Sequence, residues 1–224
     1  MIPWLQLDAA RVPGADAQLR LMQRGGEFSM MLGQNELMSS RLSGSEEALA
    51  TLACRRIDAV KRPHLLIGGL GMGFTLRAAL AVLGSDARIM VAELVPAVIA
   101  WARGPMADIF GNSLDDPRAS IREADVVDVI RSHDSAFDAV LLDVDNGPEG
   151  LIRKANDALY DLKGLNAIRG ALRPGGVLAV WSSGPNPLFS KRLRAAGFDV
   201  NEVAVRATTK RTGSRHVIWF ATKP

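Results

Sequence analysis

The sequence predicts an α/β fold in which a mostly parallel sheet is covered by helices on both faces. From residue 64 onward, short apolar runs typical of buried strands alternate with stretches of helical periodicity, and this alternation indicates parallel strands joined by helices. A glycine-rich turn, GLGMG at 69–73, joins the first run to its helix. The last two apolar runs, 198–207 and 214–222, flank the polar segment TTKRTG, which predicts a C-terminal antiparallel hairpin.

The elements of this body follow in a regular order. Seven strands are predicted: LLIGG, RIMVAE, ASIREA, FDAVLLDVD, VLAVWSS and the two strands of the hairpin. The run FDAVLLDVD is almost continuously apolar, as expected of a central parallel strand buried on both faces. Helices are predicted at 74–83, 96–103, 125–131, 159–172 and 188–196. Pro96 suits the first turn of its helix, and Gly84 and Gly197 end theirs.

Residues 1–42 predict a short N-terminal β segment, separate from a body at 43–224. The alternating runs QLRLMQRGG and EFSMMLG meet at Gly25-Gly26 and predict a hairpin, and ELMSSR adds a further short strand. The body opens with a helical pattern in which Ser43 or Ser45 is the candidate cap. Pro63 ends that pattern.

Composition limits the classes of function. The chain has 224 residues, one cysteine and a formal net charge of +3, which is no nucleic-acid signature and leaves no cysteine cluster for a metal. His64, His133 and His216 lack metal-ligand spacing, so we expect no metal. The chain start lacks the pattern of a signal peptide, and no apolar run approaches the roughly 20 residues of a membrane span. We therefore expect a cytoplasmic protein that binds neither nucleic acid nor membrane.

The glycine turn favours a nucleotide site. Gly69, Gly71 and Gly73 let the backbone turn tightly and approach a ligand without Cβ clashes, and the following helix points its free N–H groups at that ligand. By itself the turn also fits a packing role. Glu93 follows Gly73 by twenty positions at the end of the second strand, where a carboxylate reaches ribose hydroxyls. A dinucleotide site stays open, but the spacing G-x-G-x-G fits enzymes that bind S-adenosylmethionine (SAM) better.

Four segments resemble the spermidine synthases, a family with the class I SAM-dependent methyltransferase fold. They are LLIGGLGMGFTLRAAL, VAELVPAVIAWAR, EADVVDVI and FDAVLLDVDNGP, and the similarity spans roughly residues 17–222. The resemblance implies a Rossmann-like domain with a seven-stranded sheet that binds SAM or decarboxylated SAM. It also implies a small-molecule acceptor, and the β-rich start is a candidate surface for a homodimer.

The resemblance also implies roles for single residues. Glu93 aligns with the glutamate that holds the ribose, and Asp125 with the residue that binds the adenine amino group. Asp143 aligns with the aspartate that deprotonates the attacking amine. We expect the cofactor to lie against these three residues and their neighbours, and the full predicted set is Gly69, Gly71, Met72, Gly73, Glu93, Leu94, Asp125, Val126 and Asp143.

The departures from the family pattern bear on which group is transferred. Met72 replaces an aspartate that binds the aminopropyl amine, and Asn146 replaces a second aspartate used for the polyamine. Ser45, Glu46 and Glu47 stand where the family has Tyr-His-Glu. Because each buried ammonium must be paired with an acid, these changes favour methyl transfer to a small acceptor. Aminopropyl transfer to a diamine and a non-catalytic nucleoside-binding module are the alternatives.

Either transfer reaction needs a nucleophile held in line with an S–C bond, and an amine nucleophile must lose a proton. Asp143, at a strand end, is the expected general base. Asp145 is the reserve, although in DNGP it also suits a turn. Trp181, at the end of the fifth strand, and Asn146 are expected to line the acceptor pocket. A nicotinamide oxidoreductase is a further alternative.

Overall fold

In a computed structural model, the described residues are 2–14, 16–144, 158–207 and 214–224. They form two sheets. The larger sheet has seven strands in the order β10-β11-β9-β8-β5-β6-β7, and the smaller is a four-stranded antiparallel sheet, β1-β2-β3-β4. The strands of the larger sheet are β5 (His64–Gly68), β6 (Arg88–Glu93), β7 (Ala119–Glu123), β8 (Phe137–Leu142), β9 (Leu172–Ser182), β10 (Asp199–Arg206) and β11 (Arg215–Thr222).

The pairing in the larger sheet confirms the predicted fold class. Strand β5 pairs in parallel with β6 and β8, and the outer pairs β6–β7 and β8–β9 are parallel too. Strands β10 and β11 form the antiparallel C-terminal hairpin, which joins the sheet through β11 and β9. Strand β8 is buried along its whole length, which accounts for its nearly continuous apolar sequence.

Helices cover both faces of this sheet. They are α1 (Gly44–Arg56), α2 (Phe74–Val82), α3 (Pro96–Arg103), α4 (Ala107–Phe110), α5 (Val126–Arg131), α6 (Leu162–Ala171) and α7 (Pro187–Ala195). Two hydrophobic cores result, one containing α1 to α3 and the other α5 to α7. In β5 the side chains alternate between these cores: Leu65 and Ile67 enter the first and Leu66 the second, as the two-residue period of a strand requires.

The smaller sheet comprises β1 (Leu5–Arg11), β2 (Gln18–Arg24), β3 (Glu27–Leu32) and β4 (Asn35–Ser39). Strands β2 and β3 form the predicted hairpin, with Gly25 at a positive φ of 59° in its turn. Leu21 and Met30 place this sheet on the first core. The sheet ends at Ser39 and α1 begins at Gly44, close to the expected division at residue 42, which itself stays a prediction.

Several boundaries differ from the sequence-based expectation. Helix α1 ends at Arg56, well before Pro63, and Ser43 occupies its N-cap position without a side-chain cap bond. Strand β9 starts at Leu172 and so includes the RPGG segment expected to precede it. The four-residue α4 was not predicted, since one helical turn carries too little periodicity to recognise. Within the described ranges, no helix is long and apolar enough to cross a membrane.

Candidate functional site

A cavity lies where the carboxyl ends of β5, β6 and β8 face the smaller sheet. The first residues after these strands line it, as expected for a ligand crevice in an open α/β sheet. The opposite wall is a set of apolar side chains from the segment 12–38, which we call the roof. The roof consists of Val12, Leu19, Met30, Leu32, Leu37 and Met38.

The glycine turn forms one wall of the cavity and leaves no room for larger residues. Gly69 and Gly71 line the cavity and have positive φ angles of 88° and 50°, which favour glycine. A Cβ at Gly69 would lie 2.9 Å from the carbonyl oxygen of Asp143. A Cβ at Gly71 would lie 2.9 Å from the sulfur of Met38. The turn therefore brings backbone close to both β8 and the roof.

Glu93, the last residue of β6, has its carboxylate clamped by backbone amides. Its Oε2 accepts from the Leu70 N–H at 2.9 Å and its Oε1 from the Val95 N–H at 2.8 Å. The side chain is 7% exposed and lines the cavity. Burial raises the pKa of Glu93, and the surrounding backbone N–H groups oppose that rise. The clamp ties the glycine turn to the end of β6 and keeps an acceptor group at the cavity wall.

Asp125 lies at the next strand end and caps helix α5. Its Oδ1 accepts from the Val127 N–H at 2.9 Å, the usual arrangement of an N-cap aspartate. Asp125 and Val126 line the cavity on the same side as Glu93 and Leu94. The structure thus places two carboxylates with backbone partners along one end of the cavity.

Asp143 directly follows β8 and lies on the other side of the glycine turn. Its Oδ2 accepts from the Thr75 hydroxyl at 3.1 Å. The side chain keeps partial exposure where it lines the cavity. Burial, reinforced by the negative charge of Glu46, raises the pKa of Asp143 to about 7, while the Thr75 hydrogen bond opposes the rise. A carboxylate with such a pKa is suited to accept a proton near neutral pH.

Glu46, in the first turn of α1, lines the cavity near Asp143. The Ser45 hydroxyl donates to Glu46 Oε2 at 2.7 Å, and His216 Nδ1 lies 3.0 Å from the same Ser45 oxygen. The ring of Trp181 packs edge-on against that of His216, with centroids 4.8 Å apart. A continuous chain of contacts therefore runs from β9 and β11 to the carboxylate of Glu46.

Trp181, which the sequence predicts to line an acceptor pocket, lines the cavity at the same end as Glu46. Its side chain is 9% exposed, and its indole N–H is buried without a hydrogen-bond partner among the described residues. A buried donor of this kind requires an acceptor from a ligand or a water molecule. Asp145 and Asn146, the other residues predicted for catalysis and the acceptor pocket, lie outside the described residues.

Two residues of the glycine turn do not line the cavity, in contrast to the prediction. The Met72 side chain is fully buried in the first core, and its backbone N–H points to the Met38 sulfur at 3.1 Å. Gly73 is the N-cap of α2, and a Cβ there would overlap the ring of Phe110. Gly69 and Gly71 therefore line the cavity, whereas Met72 and Gly73 face the protein interior.

Sequence reasoning missed Thr75, the cavity-facing position of Glu46 and the whole roof. The roof residues carry the signal of alternating strands, which shows that one face is buried but not what it covers. Thr75 is the second residue of α2, and nothing in its sequence context distinguishes it from an ordinary helix residue. Within the described ranges, no group of three His, Cys, Asp or Glu side chains is placed to hold a metal ion.

Comparisons with known proteins bear on this site. No profile of a known protein family matches the chain. The chain is 33% identical over 156 residues to polyamine aminopropyltransferase 1 of Streptomyces coelicolor, a match that covers 68% of this chain and 28% of that protein. It is 31% identical over 157 residues to polyamine aminopropyltransferase of Mycobacterium tuberculosis, covering 66% of this chain and 29% of that protein. The matches thus span less than a third of these relatives.

Solved structures with the same fold cover more of the chain. A spermidine synthase in complex with the transition-state analogue AdoDATO has a TM-score of 0.75 and 20% identity, covering 98% of this chain and 72% of that one. The spermidine synthase of Thermotoga maritima has a TM-score of 0.72 and 17% identity, with the same coverage. Human methyltransferase-like protein 13 in complex with SAH has a TM-score of 0.58 and 19% identity, covering 80% and 79% of the two chains.

These comparisons establish the fold and redirect the functional expectation. The chain has the Rossmann-like α/β fold of the spermidine synthases, as the resemblance of its motifs implies. The curated relatives bear the name aminopropyltransferase. The preference for methyl transfer, which depended on Met72 and Asn146, finds no support among them. The alternative, aminopropyl transfer, fits them better.

Proposed function

We propose that this chain is the catalytic domain of an aminopropyltransferase that moves the aminopropyl group of decarboxylated SAM to an amine. The observation that carries the proposal is Asp143: a partly buried carboxylate at a strand end, beside the glycine turn, with its pKa raised to about 7. Glu93 and Asp125 line the same cavity. The names of the curated relatives support the same class of reaction.

The cavity has features that suit the nucleoside of decarboxylated SAM. The Glu93 carboxylate is held at the wall by two backbone amides and keeps lone pairs for ribose hydroxyls. The side chain of Asp125 lies at the neighbouring strand end, where it would contact the base. At Gly69 and Gly71 a side chain would collide with backbone or with the roof, so the turn has the close backbone approach that a nucleoside site requires.

The reaction then needs a base and little else from the protein. The amine nitrogen forms a bond to the terminal propyl carbon next to sulfur, that C–S bond breaks, and its electron pair stays on sulfur as a neutral thioether. The proton released from the amine passes to the Asp143 carboxylate. Decarboxylated SAM, when bound, supplies the electrophilic carbon, and methylthioadenosine is the other product. General-base assistance of this kind contributes roughly 10²- to 10⁴-fold.

The test is to incubate the protein with 1,4-diaminobutane and either decarboxylated SAM or SAM, and to identify the products by mass spectrometry. We expect methylthioadenosine and an aminopropylated amine from decarboxylated SAM alone. Methylated amine and S-adenosylhomocysteine from SAM would overturn aminopropyl transfer. Tight binding of methylthioadenosine in calorimetry without any turnover of either donor would indicate a nucleoside-binding module instead.

A further inference from the structure

Met72 belongs to the glycine turn, but its side chain does not line the cavity. Met72 is apolar and fully buried in the core, so it supplies no anionic partner for a cationic ligand group. An ammonium group brought into the cavity still needs an anionic partner, because burying an unpaired charge is strongly unfavourable. Glu93 and Asp125 accept hydrogen bonds from backbone amides at the other end.

Glu46 and Asp143 are the two further carboxylates among the described residues that line the cavity. They come from different elements, the first turn of α1 and the end of β8. Each is oriented by a hydroxyl, Ser45 for Glu46 at 2.7 Å and Thr75 for Asp143 at 3.1 Å. Two carboxylates that face one cavity repel each other, and a cation between them removes that repulsion.

The orientation of Glu46 has a second support. The His216 ring contacts the Ser45 hydroxyl at 3.0 Å. Because Ser45 donates its proton to Glu46, His216 donates from Nδ1 to the Ser45 oxygen. Burial raises the pKa of Glu46, and the hydrogen bond from Ser45, which His216 supports in turn, opposes that rise and orients the carboxylate. Ser45 is fully buried, so this chain of hydrogen bonds is fixed by the packing of α1 against β11.

Trp181 adjoins the same end of the cavity. Its ring packs against His216 at 4.8 Å, so it adjoins the same chain of contacts. Its indole N–H is buried in the cavity wall and has no partner among the described residues. A buried donor of this kind takes its acceptor from a ligand or from a water molecule.

We propose that Glu46, together with Asp143, binds the ammonium group of the acceptor amine, and that Glu46 thereby determines the selection of an amine. Ser45 and His216 act as positioning residues that hold the Glu46 carboxylate in the cavity. This inference rests on the proposed function, since it names the group that binds the acceptor.

The adjacent Glu47 is a matched control. It follows Glu46 on the same helix, but it lines a separate surface groove with Thr51 and Arg77. The variants Glu46→Gln and Glu47→Gln each remove one negative charge and keep the shape of the side chain. A general loss of negative charge would affect both alike, whereas a contact with the acceptor affects Glu46→Gln alone.

The experiment measures binding of 1,4-diaminobutane by calorimetry to protein saturated with methylthioadenosine, so that no turnover is needed. We expect Glu46→Gln to weaken amine binding by about 10- to 100-fold, the range expected for loss of a charged hydrogen bond. Glu47→Gln should stay within about twofold of the wild type. Affinity for methylthioadenosine should be the same in all three proteins.

The outcomes separate this inference from the proposed function. Equal weakening by both variants, no weakening by Glu46→Gln, or no amine binding by the wild type would each overturn the role of Glu46. Amine binding that depends on Glu46 without any product from decarboxylated SAM would leave the inference standing and overturn aminopropyl transfer. In active protein, Glu46→Gln should raise KM for the amine by the same factor as its Kd.

Discussion

The two ends of the cavity hold negative charge in different ways. At the end proposed to bind the nucleoside, which we call the nucleoside end, Glu93 and Asp125 accept hydrogen bonds from backbone N–H groups at 2.8–2.9 Å. At the end proposed to bind the acceptor, which we call the acceptor end, Asp143 and Glu46 accept hydrogen bonds from the hydroxyls of Thr75 and Ser45. Backbone donors are supplied by the fold itself. A hydroxyl offers one proton, and the two carboxylates of the acceptor end also repel each other.

This difference suits the two ends of the cavity to two proposed roles, ligand binding at one end and proton transfer at the other. A carboxylate fixed by backbone amides is a stable acceptor, suited to hold ribose or base in one orientation. A carboxylate with few donors and a like-charged neighbour has a raised pKa and takes up a proton readily. Under the proposed function, the end with Glu93 and Asp125 places the nucleoside, and the end with Asp143 and Glu46 binds the acceptor and takes up its proton. Substitutions at the two ends should separate accordingly.

The largest effect is expected for Asp143→Asn. The carboxamide cannot accept the proton of the attacking amine, so kcat with decarboxylated SAM should fall by roughly 10³-fold. Affinity for methylthioadenosine should stay unchanged, because Glu93 and Asp125 are untouched. Product assays and calorimetry on the same protein measure the two quantities. Asp128→Asn, on the exposed side of α5, is the control, and turnover of Asp143→Asn within threefold of the wild type would refute its role as base.

At the nucleoside end, Glu93→Gln should show the opposite pattern. Glutamine offers one oxygen, whereas the N–H groups of Leu70 and Val95 both need an acceptor. One amide would then face another donor, at a cost of about 1–3 kcal/mol in the free energy of unfolding. We expect methylthioadenosine affinity to fall about 10- to 100-fold. Denaturant unfolding and calorimetry test this, and unchanged binding would remove Glu93 from the site.

The positions of the glycine turn, Glu93 and Asp143 at the cavity could be predicted from sequence because their features are local. Gly69, Gly71 and Glu93 are marked by the spacing between a turn and the next strand end, and parallel pairing of β5 with β6 brings them together. Asp143 was predicted for the same reason, as the residue after a buried strand. Such positions depend on the sheet topology, which alternating strands and helices specify well.

The contacts around Glu46 could not be predicted because they depend on packing between distant segments. His216 and Ser45 are 171 positions apart, and no periodicity in either segment indicates their contact. Met72 lies between two glycines with positive φ, where strand or helix period does not show the direction of a side chain. The sequence therefore did not predict that Met72 is buried in the core, although the comparison of motifs showed that Met72 replaces an acid.

A smaller effect concerns the pH dependence of activity. Asp143 must be ionised to act as a base, so kcat/KM should rise about tenfold per pH unit below about 7 through this group and level off above it. Thr75→Val removes the hydrogen bond that lowers the pKa of Asp143, while Glu46 still faces it. The rising part of the pH profile of kcat/KM, the acidic limb, should move to higher pH by about half a unit to one unit.

The pH profiles of wild type, Thr75→Val and Ser85→Ala, an exposed serine in the turn after α2, should be recorded with one amine. The amine's own titration is then common to all three and cancels in the comparison. A shift in Thr75→Val toward lower pH, or an equal shift in Ser85→Ala, would contradict the assignment of the limb to Asp143.

The smallest effect should appear in stability. The folded-state pKa of Asp143 is raised above its ordinary value, so between about pH 4 and 7 the folded protein holds a proton that the unfolded chain has released. This group therefore makes the free energy of unfolding fall as pH rises through that window, and the loss is complete above about 7. Asparagine carries no such charge. Asp143→Asn should exceed the wild type by about 1–2 kcal/mol at pH 8, since partial exposure to the cavity reduces the full effect.

Urea unfolding of both proteins at pH 5, 6, 7 and 8 measures this difference. It should narrow steadily toward pH 5, where the wild-type side chain is protonated in the folded state. A gap that is the same at every pH would show that the variant acts through packing rather than charge. The expected pattern would show that Asp143 lowers the stability of the folded protein while serving its activity. Glu93→Gln, at the other end, should instead lower both stability and methylthioadenosine affinity.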